Sequence, residues 1–190
     1  MVQVKYTNWW AYKKREQSIA NTLAQLDLYN KTEFSKSKNV DLVLLEEASR
    51  FAHDNKLVYY ITIFKNEKPY CFLEINKGFY RVSFLDDLSR TYMSYDFYGS
   101  NYEKDYGDKL FLGKITFWEF EGNTDKMIKI TDHIFKTDGT FLMIERDLIT
   151  NEQIDSEAKN KIDVSSNWEN YPEFGKYESL IRKERETIIS

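Results

Sequence analysis

Cysteine occurs once in these 190 residues, at Cys71, while histidine and proline occur twice each. One cysteine excludes an intrachain disulfide, and a disulfide-free chain is expected in a reducing compartment, here the cytoplasm. His53 and His133 have no cysteine or second histidine at ligand spacing, so no metal site is expected. Two prolines and seven scattered glycines leave no linker-like stretch, and one domain over 1–190 is the simplest reading. No apolar run approaches the ~20 residues of a membrane-spanning helix. The start, Met1-Val2-Gln3-Val4-Lys5, lacks the basic-then-apolar pattern of a signal peptide. Gly-rich phosphate loops, Gly-x-Ser-x-Gly and His-Glu-x-x-His are all missing. The chain is therefore not expected to be an enzyme, and no catalytic residue, metal or cofactor is assigned.

Aromatic residues are abundant instead. At 16% of the chain, within 42% hydrophobic residues, they are enough for a packed core and exclude a disordered polymer. Heavy use of Lys, Asn, Ile, Tyr and Phe fits an AT-rich bacterial or phage genome. A pI near 5.4 argues against a broad basic face for nucleic acid. The charge is unevenly spread. Asp86 to Asp125 holds nine acids against four bases, Glu145 to Glu173 eight against three, and residues 1–81 thirteen bases against nine acids. Such polarity steers encounters with a cationic partner.

The most unusual stretch lies in the first acidic window, Arg90 to Lys109, which reads RTYMSYDFYGSNYEKDYGDK. Tyrosine offers a large contact area with few rotamers to freeze, and interleaved carboxylates make such a surface complementary to a basic protein. Tyr92, Tyr95, Asp96, Tyr98, Tyr102, Asp105, Tyr106 and Asp108 are the candidate partner-binding residues. The competing reading makes Thr91 to Tyr98 an ordinary strand with tyrosine as a β-former, followed by a polar loop.

Periodicity outlines the fold. Asn8 is placed to cap a helix running to about Tyr29, with Trp9, Tyr12, Ile19, Leu23 and Leu26 inward, and Asp41 opens a second helix through Leu44, Leu45, Ala48, Phe51 and Ala52. From Leu57 the period becomes that of strands, with segments at Leu57–Phe64, Tyr70–Ile75, Phe79–Leu85, Thr91–Tyr98, Leu110–Phe120, Met127–Phe135 and Thr140–Asp147. The links are too short for crossover helices, so neighbours are antiparallel. A weak helix is indicated over Glu152 to Lys161 and a terminal helix over Tyr177 to Glu186. The expected class is α+β: two N-terminal helices, an antiparallel sheet of about six to seven strands, and a C-terminal helix. A strongly curved sheet closing toward a barrel is the alternative.

Other groups read as structural. His53 sits at a helix C-terminus, where positive charge is favoured. Cys71 alternates with strand hydrophobes, Asp86-Asp87 is turn chemistry, and the pairs Glu119/Glu121 and Glu145/Asp147 are what any solvated sheet face shows.

The ending Asn167-Trp168-Glu169-Asn170-Tyr171-Pro172-Glu173-Phe174-Gly175-Lys176-Tyr177-Glu178-Ser179-Leu180-Ile181-Arg182 follows an Asp-Gly hairpin and a polar stretch. Over about the last 50 residues the chain resembles immunity proteins of bacterial polymorphic and contact-dependent toxin systems. The resemblance implies a cytoplasmic protein that binds and blocks a cognate toxin, and it carries no site residues over. The expected function is thus an inhibitory protein-binding module whose partner is a basic toxin or nuclease domain, with no nucleic acid and no membrane. Two alternatives stand beside it: a phage-encoded inhibitor of a host defence enzyme, and a small-molecule binder or enzyme with a sheet cavity among Tyr60, Phe72, Phe84 and Trp118.

Overall fold

The computed structural model describes residues 2–100 and 106–184. The chain begins with strand β1 (Val2–Lys5) and a small hairpin of β2 (Trp9–Trp10) and β3 (Arg15–Glu16), and continues into helices α1 (Ile19–Asn30) and α2 (Leu42–Asp54). Seven long strands follow: β4 (Tyr59–Lys65), β5 (Lys68–Asn76), β6 (Phe79–Leu85), β7 (Thr91–Tyr98), β8 (Lys109–Phe120), β9 (Met127–Phe135) and β10 (Phe141–Asp147). Two short ones, β11 (Gln153–Glu157) and β12 (Trp168–Asn170), complete the order.

Ten of these strands form one antiparallel sheet, nine of them in the order β1-β4-β5-β6-β7-β8-β9-β10-β11 and β12 off that path. Strand β12 lies beside Lys109–Phe111 of β8, the place that β9 leaves when its own pairing stops at Lys114. Register shifts at Ile63/Phe64, Phe84/Leu85, Asp96/Phe97 and Glu119/Phe120 add local twist and bend the sheet. Among the described residues it does not close, because β1 and β11 end the path.

The expected six to seven strands and C-terminal helix are thereby corrected. Among the described residues the fold is mainly antiparallel sheet with two α-helices. The core spacing of Tyr177, Leu180 and Ile181 is as read, since all three are buried, but they make only a turn, with the Leu180 and Ile181 N–H groups donating to the Tyr177 carbonyl. Two tyrosine hydroxyls from the sheet then take the carbonyls that a continuing helix would use: Tyr70 donates to Ile181 (3.2 Å) and Tyr95 to Lys183 (2.9 Å). Residues 185 and 186 of the expected helix lie outside the described residues.

Two further segments differ. Ser18, not Asn8, caps α1, accepting from the Asn21 N–H, while Asn8 is buried with its own N–H on Thr22 Oγ1 and its amide on Gln25. The residues between them turn back through Lys14 in the left-handed region (φ 51°), so Trp9 faces Phe72 and Leu85 while Trp10 and Tyr12 point outward. Within the expected helix over 152–161, Gln153–Glu157 form strand β11 and no helix is present. Asp147 Oδ1 accepts from the Ile149 and Thr150 N–H groups, and this Asx turn returns the chain along β10.

One sheet face carries the core. Leu73, Val82, Tyr95 and Ile115 lie opposite one another on consecutive strands, under Leu23 and Leu26 of α1, Leu45, Ala48 and Ala52 of α2, and the Tyr177–Ile181 turn. Burying a side chain such as Phe84, which is wholly inaccessible, contributes about 2–3 kcal/mol. The buried core continues to Phe135 of β9 and Phe141 of β10. Beyond Phe141, β10 is half-exposed and β11 is fully exposed.

Candidate functional site

The tyrosine-rich tract divides between interior and surface. Tyr95 is 2% exposed, packed edge-on against Phe84 at 5.0 Å with its hydroxyl spent on Lys183. Asp96 is equally buried, gripped by Arg81 through Nε (2.7 Å) and Nη2 (2.8 Å). Neither offers a surface to a partner, so both leave the candidate set. The reason is that β7 sits mid-sheet, where the core covers one face and long cationic side chains cover the other.

The rest of the tract is partly accessible. Tyr92 is half-buried beneath Lys183, whose ammonium is 4.9 Å from its ring. Tyr98 packs on Phe79 (5.5 Å) and over Gly113, where an added Cβ would meet its ring at 2.6 Å. Tyr106 is wedged edge-on against Trp168 (5.2 Å), and Asp108 is exposed. Tyr102 and Asp105 lie outside the described residues. The described members therefore serve mainly to join β7, β8 and the tail, whose Trp168 also packs on Phe111 and whose Phe174 stacks on Tyr6 at 4.5 Å.

The face opposite the core carries a ladder of alternating charge that reading strand by strand did not reveal. Glu74 stands opposite Arg81, Arg81 opposite Asp96, and Asp96 opposite Lys114. Lys114 lies 3.8 Å from Asp96 and 3.7 Å from Asp132, and Arg146 donates to Asp132 (2.8 Å) and Gln153 (3.1 Å). One charge per strand thus crosses β5 to β10. Burial alone raises the Asp132 carboxyl, but Thr116, Arg146 and Lys114 outweigh it and hold Asp132 below the ordinary carboxylate range. Burial pushes the Glu74 carboxyl up against the pull of Arg81. A one-residue slip would send every charge into the core face, so the ladder fixes register.

At the end of this ladder the sheet opens into an acidic margin. Strand β11 pairs with β10 from Leu142↔Glu157 to Arg146↔Gln153 and with no other strand among the described residues. Asp155 and Glu157 project on the ladder face, and Glu152 precedes them; all three are exposed, and none is salt-bridged among the described residues. Ile149 (61% exposed) and Ile154 (58%) are exposed apolar residues of the same margin, Ile154 on the opposite face of β11. These residues lie in the second acidic window, whose composition was the available signal.

The groups that could carry chemistry are placed structurally. Cys71 is inaccessible and burial pushes its thiol far above the usual range, which removes the thiolate. His53 Nδ1 lies 2.8 Å from the buried Tyr59 hydroxyl, and burial lowers its basicity, as it does for His133 between Phe117 and Phe141. No cluster of three His, Cys, Asp or Glu suited to a metal ion occurs among the described residues. No helix among them is long and apolar enough to cross a membrane. The imagined aromatic cavity is not formed: Phe84 faces the core, whereas Phe72 stacks on Trp9 on the other side.

Protein-family models, curated proteins and solved structures were all compared with the chain, and none matches.

Proposed function

We propose that this chain is an inhibitory protein-binding module of the toxin-immunity kind, acting in the cytoplasm, and that it holds a cationic protein partner at the β10–β11 margin. The observation that carries this reading is an edge strand paired on one side only among the described residues, with three exposed carboxylates that form no salt bridge among those residues and two exposed isoleucines. An edge strand offers main-chain N–H and C=O groups to an extended segment of another protein. Carboxylates at Glu152, Asp155 and Glu157 would face lysine and arginine there. A nuclease toxin needs a cationic cleft for phosphate, and acids at this spacing can occupy it in place of phosphates. The C-terminal resemblance points the same way.

The test is co-expression with the product of the adjacent gene in a bacterium that this product kills. The wild-type chain should restore growth, and Asp155→Lys with Glu157→Lys should abolish rescue while leaving the melting temperature within a few degrees. Rescue by the double variant equal to wild type would overturn the reading.

A further inference from the structure

The corner where β4, β5, β6 and β7 turn holds a cavity of about 590 Å³, floored by Pro69, Tyr70, Leu85 and Tyr92 and ringed by Lys65, Lys68 and Lys183. Nothing in the partner reading uses it. Its cations are placed by the fold. Tyr70 and Tyr95 donate to the Ile181 and Lys183 carbonyls, and this pins the tail so that the Lys183 ammonium lies 4.8 Å from the Tyr70 ring and 4.9 Å from the Tyr92 ring. Lys65 approaches the Tyr70 ring to 3.5 Å. Neither Lys65 nor Lys183 has a carboxylate partner among the described residues.

The two acids at the rim do not cancel these charges. Asp86 is committed to Arg90, whose Nε donates at 2.7 Å, and to the Leu88 and Arg90 N–H groups. Burial alone raises the Asp86 carboxyl, but these bonds outweigh it and hold the group below the ordinary range. Asp87 is 95% exposed and 3.8 Å from Lys68. Two ammoniums with no carboxylate partner among the described residues, each beside an aromatic ring, thus face a space of the size that holds a small ligand.

We propose that this cavity is a binding site for a small phosphorylated molecule, with adjacent phosphates between Lys65 and Lys183 and its less polar part on Leu85, Pro69 and Tyr92. Lysine acts on phosphate as a point charge and needs no fixed fork. A free polyphosphate and a nucleoside diphosphate share this chemistry, and the experiment separates them.

Isothermal titration of the full chain with pyrophosphate, ADP and adenosine is the test. Pyrophosphate and ADP should bind and adenosine should not. Lys65→Ala and Lys183→Ala should each weaken binding about tenfold without lowering the melting temperature, and Asp87→Asn should strengthen it. Tighter binding of ADP than of pyrophosphate would assign the site to a nucleotide, and equal binding would assign it to the phosphates alone. Absence of binding by both anions, or affinities unchanged in both lysine variants, would overturn the proposal. Neither result bears on the β11 margin.

Discussion

Tyr95 and Asp96 show how the same two residue types can be surface anchors or interior fittings, depending on which strand carries them. Tyr95 spends its hydroxyl on the Lys183 carbonyl, so Tyr95→Phe should cost about 1 kcal/mol and loosen the tail, read by urea unfolding and by faster amide exchange around Leu180. Asp96→Asn leaves Arg81 without its bidentate partner. Breaking a buried pair costs roughly 3–5 kcal/mol, and Arg81 is 40% exposed, so a loss of about 2 kcal/mol is expected. A variant as stable as wild type would mean that the ladder does not hold the sheet. The histidines predict a pH effect. Burial lowers the basicity of both His53 and His133, so the unfolded chain takes up their protons first as pH falls below about 6.5. Stability should therefore drop on acidification from neutrality. Glu74, with its carboxyl pushed up, acts with the opposite sign. The diagnostic is thus the difference between wild type and His133→Gln, whose unfolding midpoint should depend less steeply on pH between about 7 and 5.5.

At the scale of elements, the hairpin between β9 and β10 places Gly139 at φ 84°, and a Cβ there would stand 2.7 Å from the Ile162 carbonyl oxygen. Gly139→Ala should destabilise by about 1–3 kcal/mol, measured by thermal melting, and should shift the 158–163 segment away from the hairpin. Strands β6, β7 and β9 occupy the segments that their aromatic and β-branched alternation marks out, because each is bounded by strong turn residues. Helix α2 is equally legible, since Asp41 supplies a real cap, accepting from the Leu44 N–H. Strand β1 was hidden because its partner β4 is more than fifty residues away and its own sequence, VQVK, is short. Strand β11, QIDSE, has almost no strand propensity and forms because the Asp147 turn aims it along β10. The terminal helix failed for a related reason: its core spacing was genuine, but distant tyrosines on the sheet claimed its backbone. The candidate site suffered most, since alternation within β7 cannot show that both faces of a mid-sheet strand are covered.

For the whole molecule, helices and tail cover one part of the sheet and leave its last strand, β11, exposed, and Glu152, Asp155 and Glu157 there form no salt bridge among the described residues. That asymmetry is the basis for proposing recognition at the β10–β11 margin and not at the tyrosine tract. It also separates binding from stability: changes at Asp155 and Glu157 should leave the fold intact, whereas changes at Tyr95 and Asp96 should not. The most direct measurement is stopped-flow association with the adjacent gene's product across a range of salt concentrations. The account predicts that Asp155→Lys with Glu157→Lys slows association at low salt by about tenfold or more and flattens its salt dependence, while Tyr92→Ala leaves the rate unchanged. Association by the double variant at the wild-type rate, or a rate lost with Tyr92→Ala instead, would contradict it.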